Sequence, residues 1–360
     1  MLHVLEINSR EELAGYRLLW KSLLMQTRGA TFLQSLEWLE THWRHAGQNE
    51  HLRVLVAYAD GRPLGILPLV VRTARTWLGA LRVLTWPVHS AATTFAPIGS
   101  NPTATLLAAL GHLRRGPRDW DVIDLPGVDR FGIDQGRVER ALAATGFAPR
   151  VTTTERTAVV ELYGTCDDYW SARDARWREY VARNEKLLAR GGRVEFVRCR
   201  PEGAACGDGD PRWELSLACE PLIGQFSAET SESTAAQVDW RRDAVRTAAR
   251  AGGLDLAAML VNGYPVAASW NVHYQGHVAQ LQSGFSAAAA RADAGCVLLA
   301  RMIADSFERG DRVIALAPGR AAFQQPWQTG VARSCRCTHV AAGAWRARLG
   351  YLTSANRTAG

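Results

Sequence analysis

The chain has 360 residues, 47% hydrophobic and 21% charged, with a formal net charge of +7 and a pI near 9.2. That balance excludes an intrinsically disordered chain, and the length suits about two domains of ~150 residues each. No run approaches the roughly 20 consecutive apolar residues of a membrane helix, and the positive charge is nearly all arginine, with Lys21 and Lys186 the only lysines, so a coding bias explains the high pI as well as an anionic partner does.

In chain order, "MLHVLEINSREEL" has neither a basic start nor a long apolar run. It does not read as a secretion signal, so a cytoplasmic protein is expected. "HLRVLVAY" and "LGILPLVV" flank Asp60-Gly61, a tight-turn dipeptide that tolerates positive φ, and predict a β-hairpin. Leu106, Leu110 and Leu113 fall at helical spacing, and a strand follows to Pro126-Gly127. From Cys166 to Phe196, Trp170, Trp177, Val181, Asn184 and Leu188 lie near one helical face, with arginines and acids interspersed, and Gly191-Gly192 ends the helix. Arg200 to Arg212 is the most loop-like stretch. A second hairpin follows, "LDLAAML" and "VAASWNVHY" around Asn262-Gly263, then the strand "HVAQLQSGFS". Small residues from Arg291 onward open into a helix with Leu299, Met302, Ile303, Ser306 and Phe307 on one face, which leaves through Gly310 to a short strand ending in Pro318-Gly319.

The seven cysteines, Cys166, Cys199, Cys206, Cys219, Cys296, Cys335 and Cys337, are irregularly spaced and contain no CxxC pair. Reduced thiols and no metal are expected. Cys335 and Cys337 would share one face of a strand.

Two internal echoes organise the chain. Thr105–Gly127 aligns without gaps with Val297–Gly319 at an offset of 192, and Ala59–Gly65 resembles Val261–Ala267 at an offset of 202. Each half therefore reads as hairpin, further strand, helix and strand, one mixed α/β unit repeated by duplication. The small residues before Val297 have two readings. They permit tight helix–sheet packing, or they let a phosphate approach the free N–H groups of a helix N-terminus.

With these pieces in order, the chain resembles the GNAT superfamily, and more narrowly the tandem-domain CelD/BcsL-like (FemAB-like) acyltransferases. The resemblance rests on "TFLQSLEWLETHWRH", "GILPLVV", the helix "YWSARDARWREYVARNEKLLARGGRVEF", and "AGCVLLARMIADSFERGDRVIALAPG" followed by "FQQPW". It implies two tandem GNAT-like domains of mixed α/β (α+β) class, residues 1–160 and 161–360, each a central sheet flanked by helices, with an inter-domain helix at about 167–190. It implies transfer of an acyl group from acetyl-CoA or another acyl-CoA, without a metal, to an amine. A link to polysaccharide biosynthesis, and so to a sugar-linked acceptor, comes from the family alone.

In such folds the pyrophosphate lies at the start of the helix after the fourth strand, here Gly295, Cys296 and Val297. The pantetheine arm runs beside a splayed strand, here Gln280 to Gly284 with Gln282 and Ser283. The chemistry needs a base for the amine proton and N–H groups to polarise the thioester carbonyl. Candidate bases are His273, whose ordinary pKa of ~6.5 suits the task, and Glu220, a lone acid in "LACEPLIGQF". Tyr274 is a candidate acid. Asn271, which shares a strand face with His273, His89 and Trp327 are candidate substrate contacts, although Trp327 also suits closing the fold. Two departures stand out. Arg291 is followed three residues later by Ala294 rather than the glycine of the Arg/Gln-x-x-Gly-x-Gly/Ala phosphate signature, and Ala322 and Gln324 stand near the positions of a family acid and lysine. Two alternatives stay open: an aminoacyl-tRNA-dependent transferase of the FemAB type, with tRNA as partner, and a non-catalytic GNAT-fold scaffold for a ligand.

Overall fold

The computed structural model describes residues 2–45, 50–87, 95–200, 211–224, 235–317 and 321–348. They form two compact units, one of Met1–Ala30, Gln34–Arg156 and Ala332–Gly360, the other of Thr31–Leu33 and Thr157–Val331. Both are mixed α/β, a central sheet flanked by helices.

The first unit holds β1 (Leu2–Ile7), α1 (Arg10–Ala14), α2 (Arg17–Met25), α3 (Leu36–His45), β2 (Glu50–Ala59), β3 (Arg62–Thr76), β4 (Gly79–Thr85), α4 (Pro102–Arg115), β5 (Val122–Val128) and α5 (Arg137–Ala144). Strand β6 (Arg150–Glu161) then carries the chain into the second unit, and β12 (Gly330–Val340) brings it back. The sheet order is β1-β2-β3-β4-β5-β12, parallel only between β4 and β5. In α4 the Asn101 side chain accepts from the Ala104 N–H, and Pro102 takes the first helical position, where no N–H is needed.

The second unit holds α6 (Cys166–Ser171), α7 (Ala175–Ala189), β7 (Val194–Cys199), α8 (Pro211–Gly224), α9 (Ala235–Arg250), β8 (Leu254–Val261), β9 (Tyr264–Tyr274), β10 (His277–Phe285), α10 (Ala294–Glu308), β11 (Val313–Ala315) and α11 (Ala321–Gln324). Its order is β6-β11-β10-β9-β8-β7, parallel only between β10 and β11. The two units repeat one pattern: strand, helices, three-stranded antiparallel meander, helix, parallel strand, closing strand. In each unit the closing strand is the one delivered at the crossing, β12 for the first and β6 for the second.

The paired hairpins follow from their turns. Asp60 and Gly61 have φ of 48° and 76°, Asn262 and Gly263 of 53° and 82°. Positive φ at both central residues is the type I′ requirement, and its twist matches that of the strands it joins.

Alternation divides the second unit's sheet into two faces. Ala257 and Met259 of β8 and Ala267 of β9 pack on Leu188 of α7 and on Val297, Leu298 and Met302 of α10. Leu256 and Trp270 point the other way, toward α8 and α9. Phe32, from the short 3-10 turn Phe32–Gln34, lies against Gly253, where a Cβ would come 2.1 Å from its ring.

Candidate active site

The parallel ladder between β10 and β11 pairs His277, Val278 and Ala279 with Val313, Ile314 and Ala315. Beyond Ala279, β10 runs on to Phe285 with no further β11 pair among the described residues, so the strands part. At the same place β10 is bulged against β9, its register shifting between Gln280 and Gln282. A bulge re-aims side chains and frees ladder groups, and bulges concentrate beside active sites.

A polar chain spans the opening. The Ser269 hydroxyl donates to Asn271 Oδ1 at 2.8 Å and accepts from Gln280 Nε2 at 2.9 Å. Gln280 Oε1 accepts from the Ala317 N–H at 3.1 Å, and Gln324 Nε2 donates to the Ala317 carbonyl at 2.6 Å. Ser269, Asn271 and Gln280 are all buried. Asn271 Nδ2, His273 Nε2 and Gln282 Oε1 are buried without a partner among the described residues, and such groups ask for a polar ligand or water.

The start of α10 is built differently from a bare phosphate cradle. Asp293 caps it in a left-handed conformation, its carboxylate accepting from the Cys296 N–H and from the Tyr180 hydroxyl at 2.8 Å. A phosphate there would meet that carboxylate. Gly295 leaves room for Phe285, whose Cδ1 would lie 3.1 Å from a Cβ. Cys296 and Val297 turn their side chains into the core; burial holds the Cys296 thiol protonated, well above its ordinary range. Packing thus accounts for the small residues.

Cationic and aromatic groups gather beside this helix start. Ala172, Arg173, Asp174, Arg176, Trp177, Tyr180, Gln325 and Pro326 line an open groove. Trp177 stacks on Tyr180 with ring centroids 5.1 Å apart and 14° between planes. Arg173 Nη1 donates to the Gln328 carbonyl at 2.8 Å, and the buried Nε atoms of Arg173 and Trp177 (Nε1) have no partner among the described residues. Guanidinium groups and a stacked ring pair suit phosphates and a planar base. The sequence shows arginines and acids interspersed here; Arg173 stands in the turn before α7 while Arg176 and Trp177 open that helix, so the turn between α6 and α7 brings the three together.

The other predicted site residues are dispersed. His273 faces α10 and pairs with Val278, in the closed part of the ladder. Burial first, then Arg200, lowers its pKa. Tyr274 lies on the alternate face and pairs with His277 at the β9–β10 turn, roughly 13 Å of strand from the bulge. Glu220 is on α8, on the far face of the sheet from His273, and accepts from Arg242 Nε at 2.9 Å. Trp327 is fully buried; its ring meets Trp170 and Trp177 edge to face, and its carbonyl accepts from the Tyr169 hydroxyl at 2.8 Å, so it backs the groove rather than lining it. His89, Cys206, Pro318 and Gly319 lie outside the described residues. Among the described residues there is no disulfide. Among the described residues there is no metal-ligating cluster, and no helix is long and apolar enough to cross a membrane.

Residues 175–325 match the family described as Acetyltransferase (GNAT) domain, a span of less than half the chain. No curated protein matches the chain. Among solved structures, FemX superposes with a TM-score of 0.65 over 96% of this chain and 99% of its own, at 10% identity. L-PGS from Bacillus licheniformis gives 0.52 at 12% identity over 94% and 96%, and a conserved protein of unknown function from Bacteroides thetaiotaomicron gives 0.53 at 12% identity over 94% and 100%. At such identities the likeness is one of fold. Residues 175–325 thus match a GNAT-type acetyltransferase domain, in a chain whose fold is similar to that of FemX.

Proposed function

We propose that the protein is an acyltransferase moving an acyl group from acyl-CoA to the amino group of a small or sugar-linked acceptor. The observation that carries this reading is the opening between β10 and β11 at the Gln280/Gln282 bulge, within the span that matches the acetyltransferase family. The thioester donor supplies an activated carbonyl and a thiolate leaving group. Gln280 and Gln324 clamp Ala317 from both sides and fix the width of the opening. His273, kept neutral by burial and Arg200, is the base for the amine proton, with Asn271 one step along the same face toward the opening. Since Asp293 already caps α10, the anionic end of the donor rests in the groove on Arg173 and Arg176, with its base on Trp177.

The same groove chemistry suits a second donor, aminoacyl-tRNA, whose terminal adenosine presents a base and phosphates as CoA does. Calorimetric titration with CoA and acetyl-CoA tests the first. Micromolar binding, weakened about tenfold by Arg176→Ala, followed by turnover on amine acceptors including amino sugars, is the expected result. No binding by folded protein removes acyl-CoA. Transfer from aminoacyl-tRNA that falls steeply with added salt would then establish the second donor. Tight CoA binding without turnover across acceptors would make the chain a ligand-binding scaffold.

A further inference from the structure

We propose that the second unit binds a small apolar monocarboxylate in a cavity between α8, α9 and the β8–β9 ladder, with Arg241 as its anion partner. The cavity is walled by Trp213, Leu217, Ile223, Val245, Leu256 and Trp270. It lies on the face of the sheet away from α10, so the inference stands apart from the acyl-transfer reading.

Arg241 also lines this cavity. It is 7% exposed, and its Nε is buried without a partner among the described residues. The nearby charges are already engaged. Arg242 is paired with Glu220 at 2.9 Å, and the Arg246 guanidinium sits 5.1 Å over the Trp213 ring. The lining therefore sums to one positive charge from Arg241, Arg242 and Glu220. A buried guanidinium N–H without an acceptor is unfavourable, and it is retained where a ligand completes the pair. One planar guanidinium facing apolar walls fits one carboxylate, bound through two parallel N–H bonds, on an apolar body. An amine would be repelled, and an alcohol would leave the guanidinium charge unpaired.

The test is calorimetry on the full chain with octanoate, 1-octanol and octylamine. Octanoate binds saturably, octanol at least ~10-fold more weakly, and octylamine not at all. Arg241→Met lowers octanoate affinity at least ~10-fold, while the unliganded variant melts at or above the wild-type temperature because an uncompensated charge has gone. Leu217→Trp, at a partly exposed position on the rim, narrows the mouth and weakens octanoate binding without touching Arg241. No saturable octanoate binding, equal affinity for octanol, or unchanged affinity in both variants would overturn the proposal. So would an Arg241→Met protein that melts well below wild type, since Arg241 would then be a structural tie.

Discussion

At Gly295 and Gly253 a missing side chain decides the packing of a neighbouring ring. A Cβ on Gly295 meets Phe285 at 3.1 Å, which a small ring shift absorbs, whereas one on Gly253 meets the Phe32 ring at 2.1 Å. Gly295→Ala is expected to cost about 1 kcal/mol and Gly253→Ala about 2–3 kcal/mol, the range of overpacked cores, read from urea midpoints. Burial and Arg200 lower the pKa of His273, so the ring stays neutral as pH falls past its ordinary ~6.5. The acid limb of the rate profile therefore lies below that value. His273→Gln is expected to remove the limb and lower kcat by about 10²–10⁴-fold; an unchanged profile would make His273 a packing residue.

Between elements, one ion network ties β7, β8 and α10. Arg198, with a side chain 1% exposed, donates Nε to Asp255 Oδ1 at 2.8 Å and Nη1 to the Met302 carbonyl, Asp305 and Ser306. Arg200 bridges Asp255 and Asp311. Burial alone would raise the Asp255 pKa, but the hydrogen bonds and charges of Arg198 and Arg200 outweigh it and hold the carboxylate below its usual range. Its stabilisation is therefore complete above the unfolded value near pH ~3.9 and is lost as pH falls through the lower folded value. Arg198→Met leaves Asp255 buried without its main partner and is expected to cost about 3–5 kcal/mol. Denaturant titrations at several pH values would show the acid limb flattened in that variant.

Across the whole molecule, the last strand is structural. β5 meets β4 only at Val122 and Ile123, while β12 pairs along it from Val122 to Val128, and Arg336 of β12 pairs with Asp124. Ending the chain after Val331 would strip β5 of most of its ladder. Hydrogen exchange should then show Val122–Val128 unprotected in an otherwise folded second unit. Retained protection would mean that β12 is dispensable.

The hairpins at Asp60-Gly61 and Asn262-Gly263, the helices at Leu106–Leu113 and Leu299–Phe307, and the duplication they reveal were legible in the sequence. Turn dihedrals and hydrophobic period depend on residues a few positions apart. Tertiary packing alone decided that His273 and Glu220 stand on opposite faces of one sheet, that Asp293 occupies the helix start, and that Gln324 reaches Ala317. It also decided that each unit is closed by a strand delivered where the chain crosses over. Each of these depends on which distant segments pair, and that choice is set by burial and strand register rather than by neighbouring residues.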